Sequence, residues 1–427
     1  MKNIIPSVKG TREFYPQEMA LRTWLYTQIR KVSEIYGYQE YDGPFLESID
    51  LYAAKSGEEL VKEQSFVFPD RGGNLIALRP ELTPSLARMV AQKQNELIFP
   101  LRWWSFGPFW RYERPQKGRT REFFQWNIDL IGVNTPEADA ELVSICANLF
   151  ANLGLTSQEV KILVNDRRLM DAELSTLGFA AEIKPLVSKL IDRRDKMPVE
   201  AWESFVLEKG VNREQLEGLK DLLGNKALYK KSSALMRFFD AIQALGYQDF
   251  VEYDPGVIRG LDYYTGIVFE AKDMGEEGRA ILGGGHYDNL VADVGGNPLP
   301  GVGFAMGDVV LPLVLEKYGK TPKLKSVPAQ VLVTVFDEKL LIDSMTLSSE
   351  LRKAGIAVLC YPEPAKLDKQ LKFADRAGVR FVLIIGPDEA ASGEANLKDL
   401  VSKSQIKIKR KGIIKELIRL LADDQRV

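Results

Sequence analysis

The chain has 427 residues, a formal net charge of −2, and 45% hydrophobic and 27% charged residues. These are values of an ordinary globular protein too long for one core, so two or three domains are expected. No apolar run approaches membrane-spanning length, the opening MKNIIPSVKG lacks a signal-peptide core and a transit-peptide bias, and the expected compartment is the cytoplasm. A single histidine, His286, and two distant cysteines, Cys146 and Cys360, exclude a multi-histidine metal centre, a two-histidine nucleotide motif, a zinc ribbon and a Cys-x-x-Cys redox pair. Chemistry here must rest on arginines, carboxylates, tyrosines and any metal held by oxygen ligands.

In chain order, residues 17–36 show apolar positions at helical spacing, stopped by Gly37. An extended segment follows, punctuated by Gly43-Pro44. Residues 65–81 predict a hairpin turning at Arg71-Gly72-Gly73-Asn74, and 83–94 a helix with Thr83 or Ser85 near its cap. A second strand pair covers 101–113 and 122–131, joined by the polar loop PQKGRTR. Residues 136–152 predict a helix opened by a proline and acidic residues. From about 167 to 240 the pattern predicts a mostly helical insertion. Strand character returns at 251–287, and 303–318 predict a glycine-initiated helix. Residues 319–328 have the composition of a linker. Beyond it, strands and helices alternate as in a compact α/β module with parallel strands. The implied division is 1–325 and 328–427.

No phosphate loop of either familiar kind is present. Val314 stands where the first glycine before Gly319-Lys320-Thr321 is required, and Gly301-Val302-Gly303-Phe304-Ala305-Met306 lacks its last glycine. The second hairpin offers an alternative. It carries Arg111, Arg114, Lys117, Arg119 and Arg121 beside Glu113 and Glu122, and alternation places Arg111 and Glu113 on one strand face. A guanidinium on a stiff strand can fork onto a phosphate, at roughly 1.5–3 kcal/mol per charge-assisted bond. The ligand could be a triphosphate or an RNA end. A solvated basic turn is the competing reading, and the aromatic residues Trp103, Trp104, Phe106, Phe109, Trp110, Phe123, Phe124 and Trp126 weigh against it.

The segment FWRYERPQKGRTREFFQWNIDLIG (109–132) resembles the second signature of class II aminoacyl-tRNA synthetases, and more narrowly that of histidyl-tRNA synthetases. LRPELT (78–83), RGLDYYTGIVFE (259–270), KGTREFYP and Gly43-Pro44 resemble further signatures of that family, and the C-terminal module resembles its anticodon-binding domain. The resemblance implies an α+β class II catalytic core, an antiparallel sheet flanked by helices, with a helical insertion and a C-terminal α/β anticodon-binding domain. It implies a homodimer that activates L-histidine with ATP and Mg2+ and charges tRNA(His).

By the same resemblance Arg111 and Arg259 hold the α-phosphate from two sides and touch the histidine, Glu113 orients Arg111 or binds nucleotide or metal, and Arg119 meets the outer phosphates. Arg114 and Gln116 face the tRNA acceptor end. Glu81, Thr83 and Gln125 suit the α-amino group of histidine, Asp129 and Tyr264 its ring nitrogens, and Tyr263 the pocket wall. Two positions depart from the family pattern. Val310 in GFAMGDVVL (303–311) replaces an arginine that stacks on adenine, and His286 replaces an arginine in the glycine strand. The first departure favours an alternative: a non-charging, synthetase-like regulatory subunit of histidine biosynthesis, serving an ATP phosphoribosyltransferase. The C-terminal module and the retained Arg111, Glu113, Arg259 and Glu81 favour a ligase. A third reading is an RNA-binding protein without catalysis, using Lys403, Lys407, Lys409, Arg410 and Lys411.

Overall fold

The computed structural model describes residues 4–53, 63–114, 118–258, 263–275, 278–289, 291–324 and 326–424. It divides into two compact units, Met1–Lys323 and Leu324–Val427.

Unit 1 runs α1 (Pro16–Ile35), β1 (Gln39–Glu40), β2 (Leu46–Ser48), α2 (Ile49–Ala53), β3 (Phe66–Pro69), β4 (Leu75–Leu78), α3 (Thr83–Lys93), β5 (Leu101–Trp110), β6 (Glu122–Ile131) and α4 (Pro136–Asn152). After β7 (Val160–Asp166) come five insertion helices, α5 (Arg167–Thr176), α6 (Lys184–Asp192), α7 (Val199–Glu208), α8 (Arg213–Gly224) and α9 (Ser233–Ala244). Their starts follow from local chemistry. Asp166, Asn212 and Ser232 each cap a helix by accepting a backbone N–H, and Gln215 completes a capping box with Asn212. Strands β8 (Val251–Tyr253), β9 (Ile267–Asp273), β10 (Ala280–Tyr287) and β11 (Gly301–Gly307) precede α10 (Val310–Lys317).

Eight strands form one sheet in the order β1-β5-β6-β11-β10-β9-β7-β8. The β1–β5 and β7–β8 pairs are parallel and the rest antiparallel. One face is closed by α1, α4 and the insertion. Leu25, Ile29 and Val32 from α1 and most of α4 pack there on Trp104, Trp126, Ile128 and Leu130. Trp126 meets Phe304 edge to face at 4.7 Å. Alternation along β6 therefore turns Phe123, Gln125, Asn127 and Asp129 to the opposite face.

Two expectations are corrected here. Residues 303–307 are not helical: β11 is a central strand between β10 and β6, and the helix begins only at Val310. Glycine is a poor helix former, and a side chain at Gly303 would start 2.1 Å from Asp129 Oδ1, so the glycines serve close strand packing. Arg111 and Glu113 do not share a strand, because β5 ends at Trp110 and the Glu113 N–H turns back onto the Arg111 carbonyl at 2.8 Å. Of the two residues expected near the cap of α3, Thr83 is the first helical residue, next to Leu82 at the cap, whereas Ser85 lies inside the helix and donates to Glu47 at 2.8 Å.

Unit 2 holds β12 (Val331–Val333), α11 (Leu341–Lys353), β13 (Val358–Cys360), α12 (Leu367–Arg376), β14 (Phe381–Ile384), α13 (Pro387–Ser392), β15 (Glu394–Asp399), β16 (Gln405–Lys409) and α14 (Ile413–Asp424). Its sheet order is β13-β12-β14-β15-β16. The first three strands are parallel as expected, but β15 and β16 run antiparallel, so the module is mixed.

Gly284 faces the packed side of the main sheet. A methyl there would meet the Gly303 carbonyl and Phe304 Cβ at 2.5 Å and Phe269 Cζ at 2.6 Å. Two of the three are backbone or near-backbone atoms that cannot swing aside, so Gly284→Ala is expected to destabilise unit 1 by about 3 kcal/mol, measured by denaturant unfolding against the unchanged chain.

Candidate active site

The face of the sheet opposite α1 and α4 carries a polar row flanked by small residues on β11 and, short of Trp103, on β5. Gln125, Asn127 and Asp129 of β6 stand opposite Gly307, Ala305 and Gly303 of β11, and opposite Gly107, Ser105 and Trp103 of β5. The row continues through Gly285 and Gly283 of β10 to Val268 and Glu270 of β9. Strands without side chains make a floor on which a ligand can lie close to the backbone.

That floor has a filled end and an open end. At the filled end Asp129 leans over Gly303, and the Tyr264 ring sits on Gly285, 2.9 Å from where a side chain would start. The Tyr287 hydroxyl donates to Asp129 Oδ1 at 3.0 Å. Tyr263 lies 5.0 Å from Tyr264, ring to ring, and shares a side-chain hydrogen bond with Thr83. Buried Glu81 is close enough to both tyrosines to raise their pKa values, though burial is the larger cause. Asp129 itself is pushed up to about 7 by burial, against the pull of the Tyr287 hydroxyl. At the open end, side chains at Gly283 or Gly307 would meet no side chain within 4 Å.

The cations gather beyond Gly307. Arg111 donates from Nε to the Pro80 carbonyl at 2.9 Å, and its guanidinium lies 5.4 Å from the Phe123 ring centre. Glu113 pairs with the exposed Arg119 at 3.2 Å. Glu113, Arg114 and Arg119 line a recess of ≈ 300 Å³ with Glu63, Gln64 and Tyr112. The structure thus brings Glu81, Thr83, Asp129, Tyr263 and Tyr264 together at one end and Arg111, Glu113, Arg114 and Arg119 at the other. Gln125 stands between them. Arg259 and Gln116 lie outside the described residues.

Three further residues escape the sequence reading. Arg79 is fully buried, and its guanidinium bonds Asp42, the Gly43 carbonyl and the Pro108 carbonyl. Tyr287 is the partner of Asp129. Tyr41 is a further tyrosine whose pKa is raised, by burial first and then by nearby Asp129; its buried hydroxyl has no hydrogen-bond partner among the described residues. A period-2 reading from Asp129 through its sheet neighbours finds such partners only once the strand order is known. His286 faces away from the floor. It is buried on the opposite side, with Nδ1 2.9 Å from Asp139 of α4, whose carboxyl burial pushes up to about 6.

A family model described as histidyl-tRNA synthetase matches residues 10–308, and one described as anticodon binding domain matches 330–420. The chain belongs to the histidyl-tRNA synthetase family. As a member it is an ATP-dependent aminoacyl-tRNA ligase. It is 36% identical over 409 residues to a histidine–tRNA ligase of Leptospira biflexa, covering 93% of each chain. The identity is again 36%, over 411 residues, to the chloroplastic/mitochondrial histidine–tRNA ligase of Arabidopsis thaliana, covering 94% of this chain and 84% of that one. Among solved structures, the histidyl-tRNA synthetase of Nostoc sp. PCC 7120 superposes with a TM-score of 0.83 at 27% identity, over 98% of this chain and 100% of that one. No helix among the described residues is long and apolar enough to cross a membrane.

Asp129 generates a pH test. Above its ordinary value of 3.8 the unfolded chain releases this proton, while the folded chain keeps it until about 7. Folding thus takes up a proton in that window, and stability falls as pH rises through it. Asp129→Asn removes the loss. Its unfolding free energy should match the parent near pH 4 and exceed it increasingly toward pH 8, by at most about 4 kcal/mol. A gain that does not grow with pH would count against the buried proton.

Proposed function

We propose that the floor of the sheet is where this histidine–tRNA ligase activates histidine and transfers it to tRNA(His). The observation that carries the reading is the polarity of the floor: a closed end of carboxylates and tyrosines, and an open end of arginines, joined by glycines. Histidine fits the closed end. Glu81, Thr83 and Gln125 receive its α-ammonium. Asp129, with one oxygen on Tyr287, offers the other to a ring N–H, Tyr264 bonds the second nitrogen, and Tyr263 forms the wall. A site that bonds both nitrogens rejects analogues that lack one, because its own buried groups are then left unpaired.

ATP lies toward the arginines. The histidine carboxylate attacks the α-phosphorus and forms the acyl-phosphate bond as the bond to pyrophosphate breaks. Arg111 from the hairpin side and Arg259 from the other balance the charge that grows on the α-phosphate oxygens. Glu113 orients the hairpin cations, and Arg119 meets the outer phosphates. In the second step a ribose hydroxyl of the tRNA terminus attacks the carbonyl carbon and AMP leaves, with Arg114 and Gln116 facing the acceptor end. Magnesium would accompany the nucleotide and supply positive charge to its phosphates. Among the described residues no group of three or more His, Cys, Asp or Glu side chains is spaced to hold a metal by itself, and Glu113 is the carboxylate best placed to help.

The remaining assignments follow the same reading. Residues 1–325 act as the catalytic domain and 328–427 as the anticodon-binding domain. Homodimer formation is supported by the exposed apolar side chains Phe45, Leu46, Val67, Phe68 and Leu75 around the small sheet β2-β4-β3. Cytoplasmic residence fits the two free cysteines. The regulatory-subunit alternative is not favoured by relatives that are histidine–tRNA ligases matching 93–94% of this chain. The lysines of the RNA-binding alternative are partly committed, since Lys407 pairs with Glu394 at 2.9 Å.

Histidine-dependent exchange of pyrophosphate into ATP, followed by charging of tRNA, tests the reading. Purified protein should do both, and a silent exchange assay would sink it. Arg111→Ala and Arg259→Ala should each slow exchange by about 100-fold or more, as loss of one oxyanion-type donor does, while tRNA affinity stays near that of the parent. An added methyl at Gly307 meets empty space, so Gly307→Ala should melt like the parent and raise the KM for ATP.

A further inference from the structure

The turn from β11 into α10 has no side chain left for a nucleotide. Val310 packs against the hydrophobic core. Asp308 takes the Arg12 guanidinium on both oxygens, at 3.0 and 2.9 Å, and its Oδ1 also accepts the Phe124 N–H at 2.9 Å. The wall facing the hairpin would therefore be uncharged, unless a cation arrives from elsewhere.

One does. Arg279 precedes β10, whose register with β9 slips between Ala280 and Leu282. A bulge of this kind re-aims the side chains next to it. The Arg279 backbone is held by the Asp273 N–H on its carbonyl at 2.9 Å. Its Nη1 comes within 3.1 Å, and Val310 Cγ2 within 4.0 Å, of the point where a side chain on Gly118 would begin. Gly118 has φ 85 and no side chain, so the hairpin turn leaves room for a flat group there. The guanidinium and Val310 thus approach the same point of the hairpin turn.

We propose that Arg279 contacts the adenine end of ATP and supplies from β10 the guanidinium that the start of α10 lacks. The assignment rests on the ligase reading above. A guanidinium is planar and weakly hydrated, so it stacks on a purine face where a valine offers neither charge nor plane. Phe123, on the floor side of the hairpin, is already flanked by the Phe109 ring and the Arg111 guanidinium, so the proposed contact is assigned to Arg279 alone.

The test uses the full-length protein in pyrophosphate exchange, with adenosine as a competing ligand that has no phosphate. Arg279→Ala should raise the KM for ATP about tenfold or more and leave the KM for histidine within about twofold. Inhibition by adenosine should weaken by a similar factor. Adding Val310→Arg to Arg279→Ala should recover part of the ATP affinity. An ATP KM within about twofold of the parent, or unchanged adenosine inhibition, overturns the proposal. Arg279→Gln serves the same comparison if the alanine variant does not fold. Calorimetric titration of ATP with magnesium separates the two readings. If the parent protein gives no exchange, the ligase reading falls, whereas Arg279 is judged on whether its replacement weakens ATP binding.

Discussion

A guanidinium with no exposed surface holds the site in register. Arg79 lies between the rings of Phe45 and Phe109, 4.5 Å from each centre. Its Nη1 bonds Asp42 at 2.6 Å and the Gly43 carbonyl at 3.0 Å, and its Nε bonds the Pro108 carbonyl at 2.9 Å. Burying a charge costs several kcal/mol unless partners of this quality offset it. The backbone repeats the connection: the Arg79 N–H donates to Phe45, and Trp110 donates to Arg79. Gly107 completes the arrangement, since a side chain there would start 2.3 Å from Arg79 Nη2. Glu81 is two residues beyond Arg79 and Arg111 is one beyond Trp110. The carboxylate of one end and the cation of the other are therefore set by the same buried group.

From this anchor the floor acquires its gradient. Asp129, Glu81 and four tyrosines, Tyr41, Tyr263, Tyr264 and Tyr287, gather at one end, where the carboxyl of Asp129 holds its proton up to about 7. Arginines crowd the half-exposed hairpin at the other. Such separation costs stability in the empty protein, because a buried acid and a cluster of like charges each disfavour folding. A zwitterionic amino acid joined to a polyanion reverses both penalties. The fold thus stores at the site a polarity that only a ligand of matching polarity relieves.

How much of this was legible in the sequence depends on whether the signal was local. The β5–β6 hairpin, α4 with its opening proline and acids, and the helical character of the insertion were readable because their signals lie within a few residues. The β11 strand was not. Its glycines read as the start of a helix, and only pairing on both sides, to β10 and β6, turns Gly303 into a strand residue. Arg111 was assigned to a strand that ends one residue before it, since the turn at Glu113 is closed by a backbone bond that no side-chain pattern announces. Arg79, Tyr41 and Tyr287 escaped because their partners lie 29 to 158 residues away, or because, as with Tyr41, burial alone marks them. In unit 2 the parallel strands alternate with helices and were visible, whereas the β15–β16 pair adds to the sheet edge without a helix between.

The departure at Val310 shows what the site constrains. A residue-by-residue reading finds an arginine lost and infers a weakened or abandoned nucleotide grip. Three-dimensional packing requires only that positive charge and a flat surface reach one region of space, and any strand ending nearby can deliver them. Around that region Asp308 is committed to Arg12 and Phe124, Val310 to the core, and the bulge before Leu282 turns Arg279 toward the hairpin. These are coupled choices. With Asp308 fastening β11 to β6, the helix start can be given over to packing, and the cation comes from the strand on the other side. Conservation of a place in the cleft is compatible with exchange of the residue that fills it, so the missing signature arginine is weak evidence against catalysis when a second guanidinium and the same valine approach one point of the hairpin.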